Sequence, residues 1–147
     1  MTRFMMSLEE AVDLVLYAFE HAQSGDILIQ KAPACTIGTL AQAVQEIFHV
    51  NNGINHIGIR HGEKMYETLM TSEESKKAID MGGFYRVLAD KRDLNYEKYF
   101  TQGDSKEDNW HEFNSNNTER LSVSEMKEKL LSLSYIRDEL NELDNIK

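Results

Sequence analysis

Ile54-Asn55-His56-Ile57-Gly58-Ile59-Arg60-His61-Gly62-Glu63-Lys64 joins an alternating apolar run to a compact basic segment. Side chains two residues apart share one face of a strand, as Ile57 and Ile59 do here and Ile54 and His56 on the other face, so the run predicts a strand over 54–59. The spacing then predicts a helix from Glu63 to about Met70. Arg60-His61-Gly62-Glu63-Lys64 would thus sit at the carboxyl end of a strand, before a helix, where open α/β sheets bind ligands. An arginine there offers a planar fork of donors that grips a phosphate in two places. Gly62 permits a tight turn and a close backbone approach, and Glu63 can accept hydrogen bonds from ribose or sugar hydroxyls. A plainer reading stands beside this one: Gly62 shapes a turn, and Glu63 with Lys64 decorates a helix start.

Upstream, Ser7-Leu8-Glu9-Glu10 has the form of a capping box, with Ser7 as N-cap. Leu8, Ala11, Val12, Val15 and Phe19 then fall on one helical stripe, which Leu14, Leu16 and Tyr17 broaden enough to predict packing on two sides. Ser24-Gly25 ends that helix, and Ile27-Leu28-Ile29 is an unbroken apolar run expected of a buried strand. Pro33, the only proline, follows in a loop. Thr36 or Thr39 can cap a second helix whose apolar face is Leu40, Ala43, Val44 and Ile47, and Asn51-Asn52-Gly53 reads as a turn. Downstream, Ser72 to Ile79 predicts a helical segment with Glu73 and Glu74 in its first turn. Gly82-Gly83 breaks the pattern, and Phe84 to Leu88 predicts a strand. Ser122 or Ser124 caps a last helix with Val123, Met126, Leu130 and Leu133 on one face, and Tyr135 to Leu143 predicts a short helical segment that closes the chain. The division expected is an α/β subdomain over 1–100, a polar loop or linker over 101–118 and a helical tail over 119–147.

The 147 residues are 41% hydrophobic and 28% charged, which suits one packed region with a solvated tail. The formal net charge of -9 argues against general nucleic-acid binding, which draws on clustered Lys and Arg. No apolar run is long enough to span a bilayer and the opening residues do not form a secretory leader, so the expected compartment is the cytoplasm and no membrane partner is expected. The single Cys35 is expected to be a buried, inert thiol. His56 and His61 lie five apart across a strand end, a spacing unsuited to a zinc pair, and no metal site is expected. Arg3, just ahead of the first N-cap, could close over an anion at that helix N-terminus or be an exposed terminal arginine. Tyr96, Tyr99 and Phe100 could stack on a base, a packed aromatic cluster being the commoner use of such residues.

The segments Met1-Thr2-Arg3-Phe4, Gln30-Lys31-Ala32-Pro33-Ala34, Arg60 to Leu69, Asp93-Leu94-Asn95-Tyr96 and Asn114 to Leu121 occur in one order. In this the chain closely resembles the C-terminal part of bacterial capsule-type UDP-N-acetylglucosamine 4,6-dehydratases/5-epimerases, members of the extended short-chain dehydrogenase/reductase family. The resemblance covers nearly the whole chain. It implies an α/β fold: the C-terminal substrate-binding subdomain of an extended short-chain dehydrogenase/reductase, lacking the Rossmann half. It also implies that Arg3 and Arg60 hold the diphosphate of a UDP-sugar, that Glu63 contacts its ribose or uridine, and that the stretch from Asn116 to Arg120 is structural. In the complete enzyme NAD or NADP would take hydride from the sugar C4, water would be lost across C5 and C6, and hydride would return.

The departures from the family pattern are as informative. No Gly-x-Gly-x-x-Gly loop occurs, and none of the six tyrosines has a lysine four residues on. The expectation is a chain with no cofactor and no catalytic residue of its own, inactive alone, that completes its site with an upstream catalytic half, its family also tending to homo-oligomers. The alternatives are a non-enzymatic UDP-sugar-binding or assembly module and a decayed remnant. Either way the parent activity belongs to capsular or other surface polysaccharide biosynthesis.

Overall fold

A computed structural model describes residues 1–90 and 111–146. The chain falls into two compact units, each with its own apolar cluster. The first comprises Met1–Leu8, Ala32–Glu67 and Asn114–Lys147, and the second Glu9–Lys31 and Thr68–Phe113.

In the first unit, β1 (Thr2–Phe4) pairs antiparallel with β3 (Ala34–Thr36), setting Arg3 opposite Cys35. Ala34 also donates its N–H to the Glu119 carbonyl and accepts from the Leu121 N–H, both at 2.8 Å, so β3 is clamped on its other edge too. Thr36 ends β3 and starts α2 (Ile37–Ile47), its hydroxyl accepting the Thr39 N–H at 2.9 Å. That bond satisfies one of the four orphan donors of a helix start. α4 (Val123–Ser132) opens on a reciprocal box between Ser122 and Glu125, and α5 (Ser134–Ile146) follows. Buried Cys35, Ala43 and Met126 form the cluster, with Met5, Leu40, Leu121, Val123 and Leu130 packed around it. Lys127 and Glu46, 2.9 Å apart, link α4 to α2.

In the second unit, β2 (Ile27–Gln30), β6 (Phe84–Val87) and β5 (Ala78–Asp80) form an antiparallel sheet in the order β2-β6-β5. Gly82 supplies the positive φ of 79° in the tight β5–β6 connection. Ile29, Met70 and Val87 are its buried cluster, backed by Ala78, Tyr85 and Phe113. β4 (Thr68–Met70) pairs with β7 (Phe113–Asn114), and Thr71 with Glu74 forms a capping box on the single turn of α3 (Ser72–Ser75). The Asp26 side chain, 3% exposed, is held by Arg86 Nε at 2.6 Å and by the N–H groups of Gln23 and Ala89. Tyr17 of α1 (Leu8–His21) stacks on Phe84 at 4.2 Å and on His21 at 4.0 Å.

Several sequence expectations change. Ile54–Ile59 forms no strand: it is an exposed segment in which Gly58 has φ 78°, a value that breaks a β ladder. The helix predicted from Glu63 to Met70 is absent, because the backbone N–H and C=O of Glu67 are both taken by Ser115 and the chain then enters β4. The helix expected from Ser72 stops after one turn and gives way to β5, and its cap is Thr71. β2 is not buried along its whole length: it is antiparallel, and on one face Ile29 is 6% exposed while Ile27, at the strand's start, is 52% exposed, with Leu28 and Gln30 on the other face partly buried. α1 forms as predicted but buries no residue fully, and Leu8, Val12, Val15, Leu16 and Phe19 are exposed. Asn51-Asn52-Gly53 is not a hydrogen-bonded turn; Gln45 Nε2 donates to the Asn52 carbonyl there instead. Tyr96, Tyr99, Phe100 and the polar stretch through residue 110 lie outside the described residues, whereas 111–118 carries β7 and a turn that starts on buried Ser115. Among the described residues no helix is long and apolar enough to cross a membrane.

Candidate functional site

Arg60-His61-Gly62-Glu63 folds into a closed turn. The Glu63 N–H donates to the Arg60 carbonyl at 3.1 Å, and Glu63 Oε2 accepts the Arg60 N–H at 3.0 Å. Gly62 has φ 79°, and a Cβ there would meet nothing within 4 Å, so glycine is required for its backbone and not for space. The consequence is a turn fixed by its own carboxylate. The Arg60 guanidinium, exposed, makes no hydrogen bond or ion pair among the described residues. Glu63 Oε2 is occupied by the turn, and Oε1 has no partner among the described residues.

The structure brings Arg3 to this segment. Arg3 Nη2 donates to the Lys64 carbonyl at 2.9 Å, Nη1 donates to the Thr2 carbonyl at 2.7 Å, and Nε lies 3.6 Å from Glu67. The Thr2 N–H donates to the Met65 carbonyl at 2.9 Å. Arg3 is therefore part of the bracket that holds residues 64–67 against β1, and its donors point there.

Beside the turn runs a groove of about 480 Å³, walled by Thr36, Gly38 and Ala41 at the start of α2 and by Ile57, Ile59 and Met65. Its lining is mostly apolar, and Ile59 leads directly into Arg60. The first turn of α2 carries no acidic residue to oppose an anion. Cys35 is fully buried, and burial pushes its thiol pKa up, so it is no nucleophile. Among the described residues there is no group of three or more His, Cys, Asp or Glu side chains placed to hold a metal ion.

Sequence reasoning missed Thr2, Asn114 and Ser115, which are buried polar residues beside this segment. Asn114 Oδ1 accepts the N–H groups of Asn116 at 2.8 Å and Asn117 at 3.0 Å, while Asn117 Oδ1 accepts the Asn114 N–H at 2.9 Å. Asn-Ser-Asn-Asn was the available signal: asparagines two and three residues apart favour such side-chain-to-backbone turns.

Residues 1–89 match the family described as polysaccharide biosynthesis protein, and residues 90–137 match polysaccharide biosynthesis protein C-terminal. The chain is 57% identical over 140 residues to a UDP-glucose 4-epimerase of Rickettsia felis, covering 95% of this chain and 41% of that protein. The UDP-glucose 4-epimerase of Rickettsia typhi is 56% identical with the same coverage. The chain therefore spans about two fifths of the length of these relatives. Among solved structures, Pen from Bacillus thuringiensis superimposes with a TM-score of 0.70 at 28% identity, covering 90% of this chain and 37% of that one.

Proposed function

The chain belongs to the polysaccharide biosynthesis protein family and has the mixed α/β fold of the C-terminal part of an extended short-chain dehydrogenase/reductase; from that premise we propose that it supplies the UDP-sugar-binding portion of a nucleotide-sugar epimerase or dehydratase. One observation carries the reading: an uncommitted Arg60 guanidinium on a turn whose shape is already set by Gly62 and Glu63. The backbone of such a turn is already ordered and loses little entropy on binding, and a diphosphate matches the guanidinium fork in charge and geometry. Arg3, itself part of the bracket that holds residues 64–67, adds positive potential for the second phosphate, and Glu63 Oε1 is available to a ribose hydroxyl. The apolar groove next to Ile59 is of a size for a nucleoside or hexosyl group.

The residues present do not fit a nicotinamide dinucleotide. The strand-to-helix junction at β3–α2 reads Thr36-Ile37-Gly38-Thr39, with one glycine where a pyrophosphate loop needs several. We therefore assign this chain binding and orientation of the UDP-sugar, and assign the NAD(P) loop and the Tyr-x-x-x-Lys pair to an upstream half that completes the enzyme. The work would be done in the cytoplasm, where nucleotide sugars are made, and would feed a surface polysaccharide. Two overall reactions fit. Resemblance favours 4,6-dehydration and 5-epimerisation of UDP-N-acetylglucosamine, and the relatives at 57% and 56% identity carry the name UDP-glucose 4-epimerase. Diphosphate recognition is common to both.

Calorimetry with UDP tests the binding reading. Arg60→Ala is expected to weaken binding by about 10- to 100-fold, the worth of one to two charge-assisted hydrogen bonds. Binding indifferent to that substitution, or none at all, would count against it. Co-expression with a polypeptide carrying the glycine-rich loop and Tyr/Lys pair of a relative tests the enzyme reading. A dehydrated 4-keto product from UDP-N-acetylglucosamine marks the dehydratase, and a C4 epimer from UDP-glucose marks the epimerase. UDP binding without turnover in that mixture leaves the non-enzymatic binding module, and turnover by the 147 residues alone sinks the split assignment.

A further inference from the structure

Ser115 is fully buried, and its hydroxyl is used to capacity. It donates to the Thr2 carbonyl at 3.1 Å and accepts the Glu67 N–H at 3.0 Å. Its single proton being committed to Thr2 O, the 2.9 Å contact with Thr2 Oγ1 has the threonine as donor. The Ser115 N–H in turn donates to the Glu67 carbonyl at 2.8 Å. One small side chain and its own amide thus tie together β1, residue 67 at the end of the phosphate-turn segment, and the Asn114–Asn117 turn. Thr2 is 5% exposed and Asn114 5%. In such a dry place a missing partner leaves several polar groups unpaired at once, so the arrangement has few alternatives.

From the knot, Thr2 continues into Arg3, which grips the Lys64 carbonyl, and Thr2 N–H grips Met65. The segment that follows Arg60-His61-Gly62-Glu63 is therefore pinned at residues 64, 65 and 67, while residues 51–62 are exposed throughout. We propose that Ser115, with Thr2, is a positioning residue for the diphosphate-binding turn: its buried hydroxyl sets the register of residues 64–67 and through them the place from which Arg60 acts. The inference rests on the reading of Arg60 as the phosphate ligand, but its mechanical half does not depend on any ligand.

Two arms test it on the full chain. In hydrogen exchange, Ser115→Ala and Thr2→Val should speed exchange of the Arg60 and Glu63 amides about tenfold, as loss of a buried hydrogen bond predicts, with α2 and α4 amides unchanged. Thr2→Ser, which keeps the hydroxyl, should leave them as in the wild type. In calorimetry with UDP, Thr2→Val should weaken binding about tenfold, and Arg60→Ala added to it should cost far less than it does alone, since both remove one function. Faster exchange at Glu67 alone, with Arg60 and Glu63 unaffected, overturns the proposal, because the knot would then hold only its own neighbourhood. So does strict additivity of the two UDP effects. If Ser115→Ala does not fold, the Thr2 pair decides. If the wild type binds no UDP, the ligand reading of Arg60 falls, and the exchange arm still decides whether the knot sets the turn.

Discussion

Asp26 shows how one residue acts when its surroundings are complete. The N–H of Gln23 first, then that of Ala89 and the Arg86 guanidinium, hold its carboxyl down from the ordinary 3.8 to about 2. A group whose pKa is depressed in the folded state adds stability above its unfolded pKa and loses it as pH falls through the folded one. The Asp26 contribution is thus complete above pH 3.8 and fades toward pH 2. Urea unfolding across that range should show wild type converging on Asp26→Asn as pH drops, with the wild type the more stable at pH 6. A constant gap between the two at every pH would mean that the carboxylate charge is not what Arg86 and the amides hold. In the sequence this residue is only the one that precedes the apolar run Ile27-Leu28-Ile29. Its role depends on Arg86, sixty residues on, and no local pattern announces a partner so distant.

Elements were legible where their signals are local. The caps at Thr36 and Ser122, the apolar faces of α2 and α4, and the hairpin break at Gly82-Gly83 all follow from neighbours within four residues, and each is present. Ile54–Ile59 and Glu63–Met70 failed for the opposite reason: alternation cannot supply a ladder neighbour, and a helical pattern cannot outbid Ser115 for the amide and carbonyl of Glu67. The turn at Arg60 was readable as a turn, while its tie to Arg3 through the Lys64 carbonyl was not. Packing between α2 and α4 gives the clearest test at this scale. Met126 is 3% exposed and lies in the cluster with Ala43 and Cys35. Met126→Ala should cost about 3 kcal/mol, the transfer of its side chain plus the cavity left behind. The loss should appear as faster hydrogen exchange in α2 and α4; a change below about 1 kcal/mol would mean that the helices close over the gap.

At the scale of the whole molecule, apolar exposure and charge pull in different directions. A net charge of -9 keeps chains apart, whereas Val12, Val15 and Phe19 at 51%, 54% and 84% exposure form a stripe along α1 that favours association. Phe19→Ser is expected to raise the concentration at which light scattering begins while shifting stability by no more than about 0.5 kcal/mol. A fall in melting temperature of many degrees would show that Phe19 is packed after all. The first unit is also assembled from three separate stretches of chain, and the Thr2–Ser115 hydroxyl contact spans 113 residues. Its order of assembly is therefore dictated by the ribosome. β1 meets β3 within some thirty residues of synthesis, but Thr2 must wait for Ser115 to emerge, roughly 5–20 s at ordinary elongation rates. During that interval the segment that follows Arg60 has its ties to Thr2 and Arg3 but not the anchor of Glu67 to Ser115, so it is locked at its far end only once residue 115 has been made.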